Sequence, residues 1–151
     1  MNILIVITCL KPHGAEYSCL RHIKNYQNKF NLKFTLLTII GGELESDFLR
    51  LKIPVVILKD DLRKFKLKKI YKIIFSRKYH VIHSWMYHAN ILGVLIHFIN
   101  QKKLITSIRQ ALPNYSSLKK RTIIFAFVDS LLSRLFANKI TFNSKAGIQD
   151  H

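Results

Sequence analysis

The residues best suited to chemistry are concentrated in one run, from His80 to Asn90, where an apolar strand pattern ends and a helical pattern begins. In open α/β sheets, ligands bind outside the carboxyl ends of the strands. Three histidines, a tryptophan, a tyrosine and an asparagine fall in this run. It is therefore predicted to line a binding site, with His83, Trp85, His88 and Asn90 as the contact residues. Helix capping is the alternative role for His88 and Asn90.

Two further positions follow other predicted strands. Gly14 lies in the junction after the first strand, where a small residue lets the backbone N–H groups of a helix start approach an anion or a sugar hydroxyl. An ordinary strand-to-helix turn is the alternative. Arg109 follows the fifth strand, where its guanidinium is placed to hold a phosphate or carboxylate. The alternative there is a surface ion pair, for which the chain offers only 8 acidic residues.

The sequence predicts neither a metal site nor a bound cofactor. The spacing of His80, His83 and His88 matches no familiar zinc pattern, and Cys9 and Cys19 form no CxxC pair. The Gly-rich dinucleotide and Walker signatures are also missing from the sequence. Two isolated cysteines favour a reducing, cytoplasmic environment.

The elements that must position these residues alternate along the chain between strands and helices. Such alternation predicts βαβ units, a parallel sheet and right-handed crossovers, hence an α/β, Rossmann-like, doubly wound fold of about six strands. The predicted strands are Asn2–Thr8, Lys33–Ile40, Pro54–Leu58, His80–Ser84, Lys103–Ile108 and Lys139–Asn143. The predicted helices are Ala15–Lys29, Glu43–Leu51, Leu62–Lys78, Ala89–Asn100 and Leu118–Phe136.

The chain is strongly basic, with 25 Lys and Arg against 8 Asp and Glu and a net charge of +17 in 151 residues. Such an excess attracts polyanions, including nucleic acid, anionic lipid and phosphorylated substrates, although a Lys-rich composition bias also accounts for it. The length suits one domain with a sizeable core. No apolar run reaches the roughly 18 residues needed to span a bilayer.

The predicted helix Leu62–Lys78 carries much of this charge. Leu67, Ile70, Tyr71 and Ile74 have the spacing of a core-facing stripe. Apolar residues alternate with lysines on the remaining surface, a pattern typical of a helix at a membrane surface. The alternative is a solvated helix whose lysine stems cover apolar surface. The predicted membrane-contact residues are Phe65, Lys66, Lys69, Lys72 and Ile73.

These motifs occur in an order that resembles a known family. The order is Lys-Pro-His-Gly-Ala-Glu at 11–16, Gly-Gly-Glu-Leu at 41–44, Ile-Pro-Val at 53–55, the run at 81–90, Ser-Ile-Arg-Gln at 107–110 and Phe-Asn-Ser-Lys-Ala-Gly at 142–147. Over essentially the whole chain this resembles the N-terminal domain of family 4 glycosyltransferases of the GT-B fold.

The resemblance implies that residues 1–151 are one half of a GT-B enzyme, the acceptor-side domain, without the C-terminal donor domain. It implies a retaining transfer from a nucleotide sugar, bound mainly by the missing domain, to a glycan or lipid-linked acceptor. The expected setting is surface polysaccharide or lipopolysaccharide synthesis, with the protein peripheral on the inner face of the plasma membrane. A separately encoded donor domain is an expected partner, and the isolated chain is expected to be inactive.

Two positions depart from the family pattern. His13 stands where the family usually has the first glycine of a pair, and Arg109 stands where many relatives have a histidine near the reacting sugar. The resemblance nevertheless places Arg109 and His83 at the catalytic position, and Gly14, Trp85 and His88 at the substrate. Two alternatives remain at this stage. One is a basic, non-catalytic module that binds anionic membrane or, less expectedly, nucleic acid; the other is a truncated gene remnant.

Overall fold

A computed structural model describes residues 1–59, 67–76, 78–108 and 120–142. The strands are β1 (Asn2–Ile7), β2 (Lys33–Ile40), β3 (Val55–Lys59), β4 (Val81–Trp85), β5 (Lys103–Ile108) and β6 (Lys139–Phe142). The helices are α1 (Gly14–Lys29), α2 (Glu45–Arg50), α3 (Leu67–Ile74), α4 (Tyr87–Asn100) and α5 (Lys120–Phe136).

The six strands form one parallel sheet in the order β3-β2-β1-β4-β5-β6. The central strand β1 pairs with β2 on one side and β4 on the other, so that Ile5 lies between Leu36 and His83. The strand order reverses between β1 and β4, and this is the switch point beside which open α/β sheets bind ligands. The predicted α/β, Rossmann-like, doubly wound sheet is confirmed.

Each face of the sheet is covered by its own helices. Alternate side chains of β1 point to opposite faces. Ile5 and Ile7 pack with Cys19 and Ile23 of α1, whereas Leu4 and Val6 belong to a second core on the side of α3, α4 and α5. In the described ranges, no helix has both the length and the hydropathy needed to span a bilayer.

Two side chains of α3 do not lie where the sequence predicts them. Ile73, expected on the outer surface, is 7% exposed and packs in the second core, whereas Tyr71, expected in the core, is 65% exposed. Apolar residues recur on both sides of this helix, so spacing alone could not select the buried side. Ile73 is thus buried and Lys72 is exposed, and membrane contact by these residues stays a prediction. Phe65, Lys66 and the side chain of Lys69 lie outside the described part of the chain.

Candidate functional site

The carboxyl edge of the sheet at the switch point begins with the loop after β1. The backbone carbonyl of Thr8 accepts a hydrogen bond from Ile40 N–H at 3.0 Å, and that of Leu10 accepts one from Leu44 N–H at 3.0 Å. Gly42 passes so close beneath this loop that a Cβ would lie 2.4 Å from Leu10 C and O. Only glycine fits there, and it fixes the path of the loop toward α1.

The start of α1 is open to solvent. Gly14 is exposed, and no neighbouring atom lies within 4 Å of the position that its Cβ would occupy. His13 is the N-cap residue, with an extended backbone and no capping hydrogen bond from its side chain. The first amides of a helix lack helical partners and favour anions. Gly14 therefore has the open approach that the sequence predicts, and its contact with a ligand stays a prediction.

A thiol and a carboxylate lie behind this helix start. Cys9 Sγ donates a hydrogen bond to Glu16 Oε1 at 3.1 Å, and Glu16 is 4% exposed. Burial, followed by the hydrogen bond to Glu16, raises the pKa of the Cys9 thiol, although a backbone hydrogen bond at Lys11 opposes the rise. Cys9 is thus held as a thiol rather than as a reactive thiolate.

The turn from β4 into α4 is strained at Met86. Its backbone has φ 74° and ψ 157°, a region that is almost reserved for glycine. Two hydrogen bonds hold it there: Met86 N–H donates to the carbonyl of Ser107 at 3.0 Å, and Asn90 N–H donates to the carbonyl of Met86 at 2.8 Å. Strain of this kind concentrates at functional sites. Here it presents His88, which is exposed and whose ring packs against that of Phe125 with centroids 4.2 Å apart and the planes tilted by 41°.

His83 lies inside the sheet rather than at its edge. Its Nε2 is 2.8 Å from Ser107 Oγ, which is in turn 2.6 Å from Thr141 Oγ1, so a chain of side-chain hydrogen bonds crosses β4, β5 and β6. The His83 ring also packs 5.3 Å from His22 of α1 and is 8% exposed. Its ring is enclosed by these neighbours, and a catalytic role for His83 stays a prediction.

Two other predicted contact residues are also enclosed. Trp85 is 0% exposed and belongs to the core cluster beneath α1, because β4 continues through it instead of ending at Ser84. Asn90 is 0% exposed, and its Nδ2 donates to Asp129 Oδ2 at 3.0 Å. Neither side chain is exposed at the carboxyl edge, and substrate contact by Trp85 or Asn90 stays a prediction. Asn90 joins α4 to α5 instead.

Asp129 was not singled out from the sequence, and it is the most perturbed acid in the described chain. It is 0% exposed, and its second oxygen accepts a hydrogen bond from Ser133 Oγ at 3.0 Å. Burial raises its pKa to about 6, although the hydrogen bonds from Asn90 and Ser133 oppose the rise. The only sequence signal was an acid within an apolar helix.

The described part of this edge thus presents exposed groups that suit hydrogen bonding. His13, Gly14 and His88 are exposed at this edge, and their imidazole and amide groups can hydrogen-bond a polyhydroxylated or anionic ligand. Arg109 lies outside the described residues. Among the residues that are described, no three His, Cys, Asp or Glu side chains come together to hold a metal ion.

Solved structures share this architecture. The chain aligns with HepE (Alr3699) of Anabaena in complex with UDP at a TM-score of 0.77, with 19% identity over 99% of this chain and 40% of that one. HepE in complex with UDP-glucose gives 0.77, with 20% identity over 99% and 39%. MurG of Acinetobacter baumannii gives 0.56, with 15% identity over 93% and 40%. The chain has the Rossmann-like fold of one GT-B domain.

The GT-B match rests on structure alone. No family model and no curated protein matches the sequence. The GT-B domain described here spans about two-fifths of the length of the HepE and MurG chains. At these identities the likeness establishes the fold, and the activity has to be argued from the site.

Proposed function

We propose that this GT-B domain is the acceptor-side half, family 4-like over residues 1–151, of a glycosyltransferase. One observation carries the proposal. At a TM-score of 0.77, 99% of the chain aligns with part of HepE in complex with UDP-glucose. The strained Met86 turn and the open start of α1 lie at the switch point, where such a fold takes its ligand. We assign to this edge of the sheet the binding of a glycan acceptor.

The residues take the following roles in the proposal. The Gly14 amide and the exposed start of α1 face the donor phosphates, and His88 contacts the acceptor. Arg109 stabilises phosphate charge. It is not a general base, because a guanidinium stays protonated. His83, Trp85 and Asn90 support the edge from within through the contacts described above.

The reaction we propose is a retaining transfer from a nucleotide sugar to a glycan or lipid-linked acceptor in surface polysaccharide or lipopolysaccharide synthesis. It takes place on the cytoplasmic side of the plasma membrane. Neither a metal nor a resident cofactor is required. The nucleotide sugar is a co-substrate, and it is bound mainly by a donor domain that associates with this chain. Stabilising the departing nucleotide diphosphate is a large electrostatic contribution, and we expect the donor domain to supply most of it.

Sugar transfer tests this proposal. The 151-residue chain is expected to transfer no sugar from UDP-glucose. A fusion of this chain to the part of HepE outside the aligned region is expected to release UDP faster when glycan acceptors are added. His88→Ala in the fusion is expected to lower that rate at least about tenfold, a loss of about 1.4 kcal/mol in transition-state binding, with Lys24→Ala as the surface control. Turnover by the isolated chain, or an unchanged rate in His88→Ala, would contradict the assignment.

We propose that a second surface contacts a membrane, and it includes Lys72, one of the residues predicted from the sequence. The outer face of α3–α5 carries large exposed apolar side chains, among them Tyr71, Phe98, Phe127, Leu131 and Leu135. Close ring contacts join α4 to α5, so the exposed apolar residues of these two helices lie on neighbouring elements. Exposed apolar patches of this kind mark interaction sites.

An anionic bilayer is the occupant that we propose for the outer face of α3–α5. Lys68 and Lys72 flank the exposed Tyr71, and Lys120 and Arg121 are exposed at the start of α5. Aromatic and aliphatic residues beside cations suit the interface of an anionic membrane. Binding a second copy here would bring together two chains that each carry a net charge of +17, and repulsion between like charges opposes this.

Vesicle flotation tests this surface. The chain is expected to float with phosphatidylglycerol-containing vesicles and much less with pure phosphatidylcholine. Replacing Phe127, Leu131 and Leu135 by serine is expected to weaken partitioning at least about tenfold. The matched control replaces exposed apolar residues elsewhere, Tyr17, Tyr26 and Leu49, and is expected to change it less than about twofold. If the wild-type chain does not float with vesicles but forms a dimer, and the serine variant does not dimerise, this surface would instead bind a second copy of the chain.

A further inference from the structure

A groove lies at the amino edge of the sheet, on the opposite side of the molecule from the candidate acceptor site. It is bordered by the starts of β1 and β2 and by the loops that lead into β2, β3 and β4. Its volume is about 500 Å³, within the roughly 300–1,000 Å³ that small-molecule sites occupy. Strands of this length separate the two edges by roughly 20 Å.

Hydrogen bonds between neighbouring loops build the walls of the groove. Gln27 Nε2 donates to the carbonyl of Leu51 at 3.1 Å, and Asn2 Nδ2 donates to that of Lys78 at 3.1 Å. Two wall loops turn through left-handed residues, Asn31 with φ 48° and Lys52 with φ 56°. The amino edge is therefore held in shape by specific contacts rather than formed by a chance gap between side chains.

The floor and the rim of the groove differ in chemistry. Phe34, Ile53 and Tyr79 contribute buried apolar and aromatic surface, with 3%, 5% and 3% exposure. The cations Lys33, Lys52 and Lys78 line the rim and are exposed, and no Asp or Glu is among the lining residues. Exposed amides of Asn28 and Asn31 add hydrogen-bond donors.

We propose that this groove binds a small phosphorylated molecule. The three lysines hold its phosphate, and its less polar part rests on the floor. Three cations without a carboxylate suit a dianion better than a single carboxylate, and lysine binds phosphate as a compact point charge. The ammonium of Lys78 lies 5.1 Å from the Tyr79 ring, which keeps one cation beside the aromatic floor.

This proposal does not depend on the proposed glycosyltransferase function. It uses none of the acceptor-edge residues and none of the apolar residues on the outer face of α3–α5. The phosphate could belong to a nucleotide or to a sugar phosphate, and separate titrations distinguish these two sources.

Calorimetric titration of the full chain tests the groove, with adenosine monophosphate, glucose 1-phosphate and inorganic phosphate as probes. At least one of the two organic phosphates is expected to bind more tightly than inorganic phosphate, because only they contact the floor. Replacing Lys33, Lys52 and Lys78 by glutamine is expected to weaken that binding at least about tenfold. The matched control replaces Lys24, Lys103 and Lys139 by glutamine and is expected to change it less than about twofold at physiological ionic strength.

Amide signals in an NMR titration of the wild-type chain provide a second measurement that needs no variant. The signals of Asn28, Asn31 and Leu32 are expected to shift on adding the bound organic phosphate, and those of Gly14 and His88 to stay unchanged. Equal losses in both triple variants, no binding by either organic phosphate, or shifts confined to the carboxyl edge would overturn the proposal. So would an oligonucleotide that binds through the same lysines while both small phosphates fail.

Discussion

Replacing Asp129 by asparagine is expected to stabilise the protein more at neutral pH than in acid. The carboxyl is fully buried between α4 and α5, and burial raises its pKa from 3.8 to about 6. In the unfolded chain the carboxyl ionises near pH 4, whereas in the folded chain it keeps its proton to about pH 6. The unfolded state therefore binds fewer protons between these values, and stability falls as the pH rises through them.

The magnitude follows from the two pKa values. At about 1.4 kcal/mol per pKa unit, ionised Asp129 costs the folded state about 3 kcal/mol above pH 6 and nothing below pH 4. The amide of the Asp129→Asn variant carries no charge at any of these pH values, so any fixed cost of the substitution is the same at both ends. The difference in unfolding free energy between Asp129→Asn and wild type should thus grow by about 3 kcal/mol from pH 4 to pH 7.

Urea unfolding at several pH values measures this difference. With a slope of about 2 kcal/mol per molar urea, 3 kcal/mol corresponds to a midpoint change of roughly 1.5 M. Asp47→Asn is the control, because its pair with Arg50 is a surface contact worth less than about 1 kcal/mol. A difference for Asp129→Asn that stays flat across this pH range would refute the burial of an ionisable carboxyl between α4 and α5.

Four further substitutions probe the elements that shape the carboxyl edge of the sheet, each measured by urea unfolding. Gly93→Ala is expected to cost about 1–3 kcal/mol because its Cβ would lie 2.8 Å from Ser84 Oγ, whereas Gly14→Ala, which meets open space, is expected to change stability by less than about 0.5 kcal/mol. A cost at Gly14 equal to that at Gly93 would contradict the close approach of α4 to β4. Met86→Gly is expected to stabilise the protein by about 1 kcal/mol, because the backbone strain it relieves exceeds the backbone entropy that glycine loses on folding. A destabilised variant would argue against strain at that turn. Ser107→Ala is expected to cost about 1–3 kcal/mol by removing the hydrogen bonds of 2.8 and 2.6 Å that link three strands, and a neutral result would contradict that link.

The sequence was sufficient to predict the sheet because each strand is a short apolar run and each helix follows at regular spacing. Local patterns of this kind report burial on both faces of a parallel sheet. They do not report which helix face is buried when apolar residues occur on both faces. For this reason Ile73 was predicted to be exposed and Tyr71 to be buried, whereas the structure shows the opposite. The choice depends on packing against β-strands that lie far away in sequence.

The candidate site was predicted less completely, because the residue types in the run do not reveal how deeply each side chain is buried. Trp85 and His83 alternate onto the face under α1, so a run that reads as a lined pocket is partly core. The partner of Asn90 is 39 residues away in α5, and no local pattern reveals it. The need for glycine at Gly42 likewise arises from a distant part of the chain, the loop after β1. Of the predicted site residues that the structure describes, Gly14 and His88 are exposed, and their contact with a ligand stays a prediction.

A glycan microarray probed with the full chain measures glycan binding at the carboxyl edge of the sheet. The account predicts binding to at least one class of bacterial surface glycan, lost in His88→Ala and retained when Lys33, Lys52 and Lys78 at the opposite edge are replaced by glutamine. No bound glycan, or binding that survives in His88→Ala and disappears with the three lysines, would contradict it.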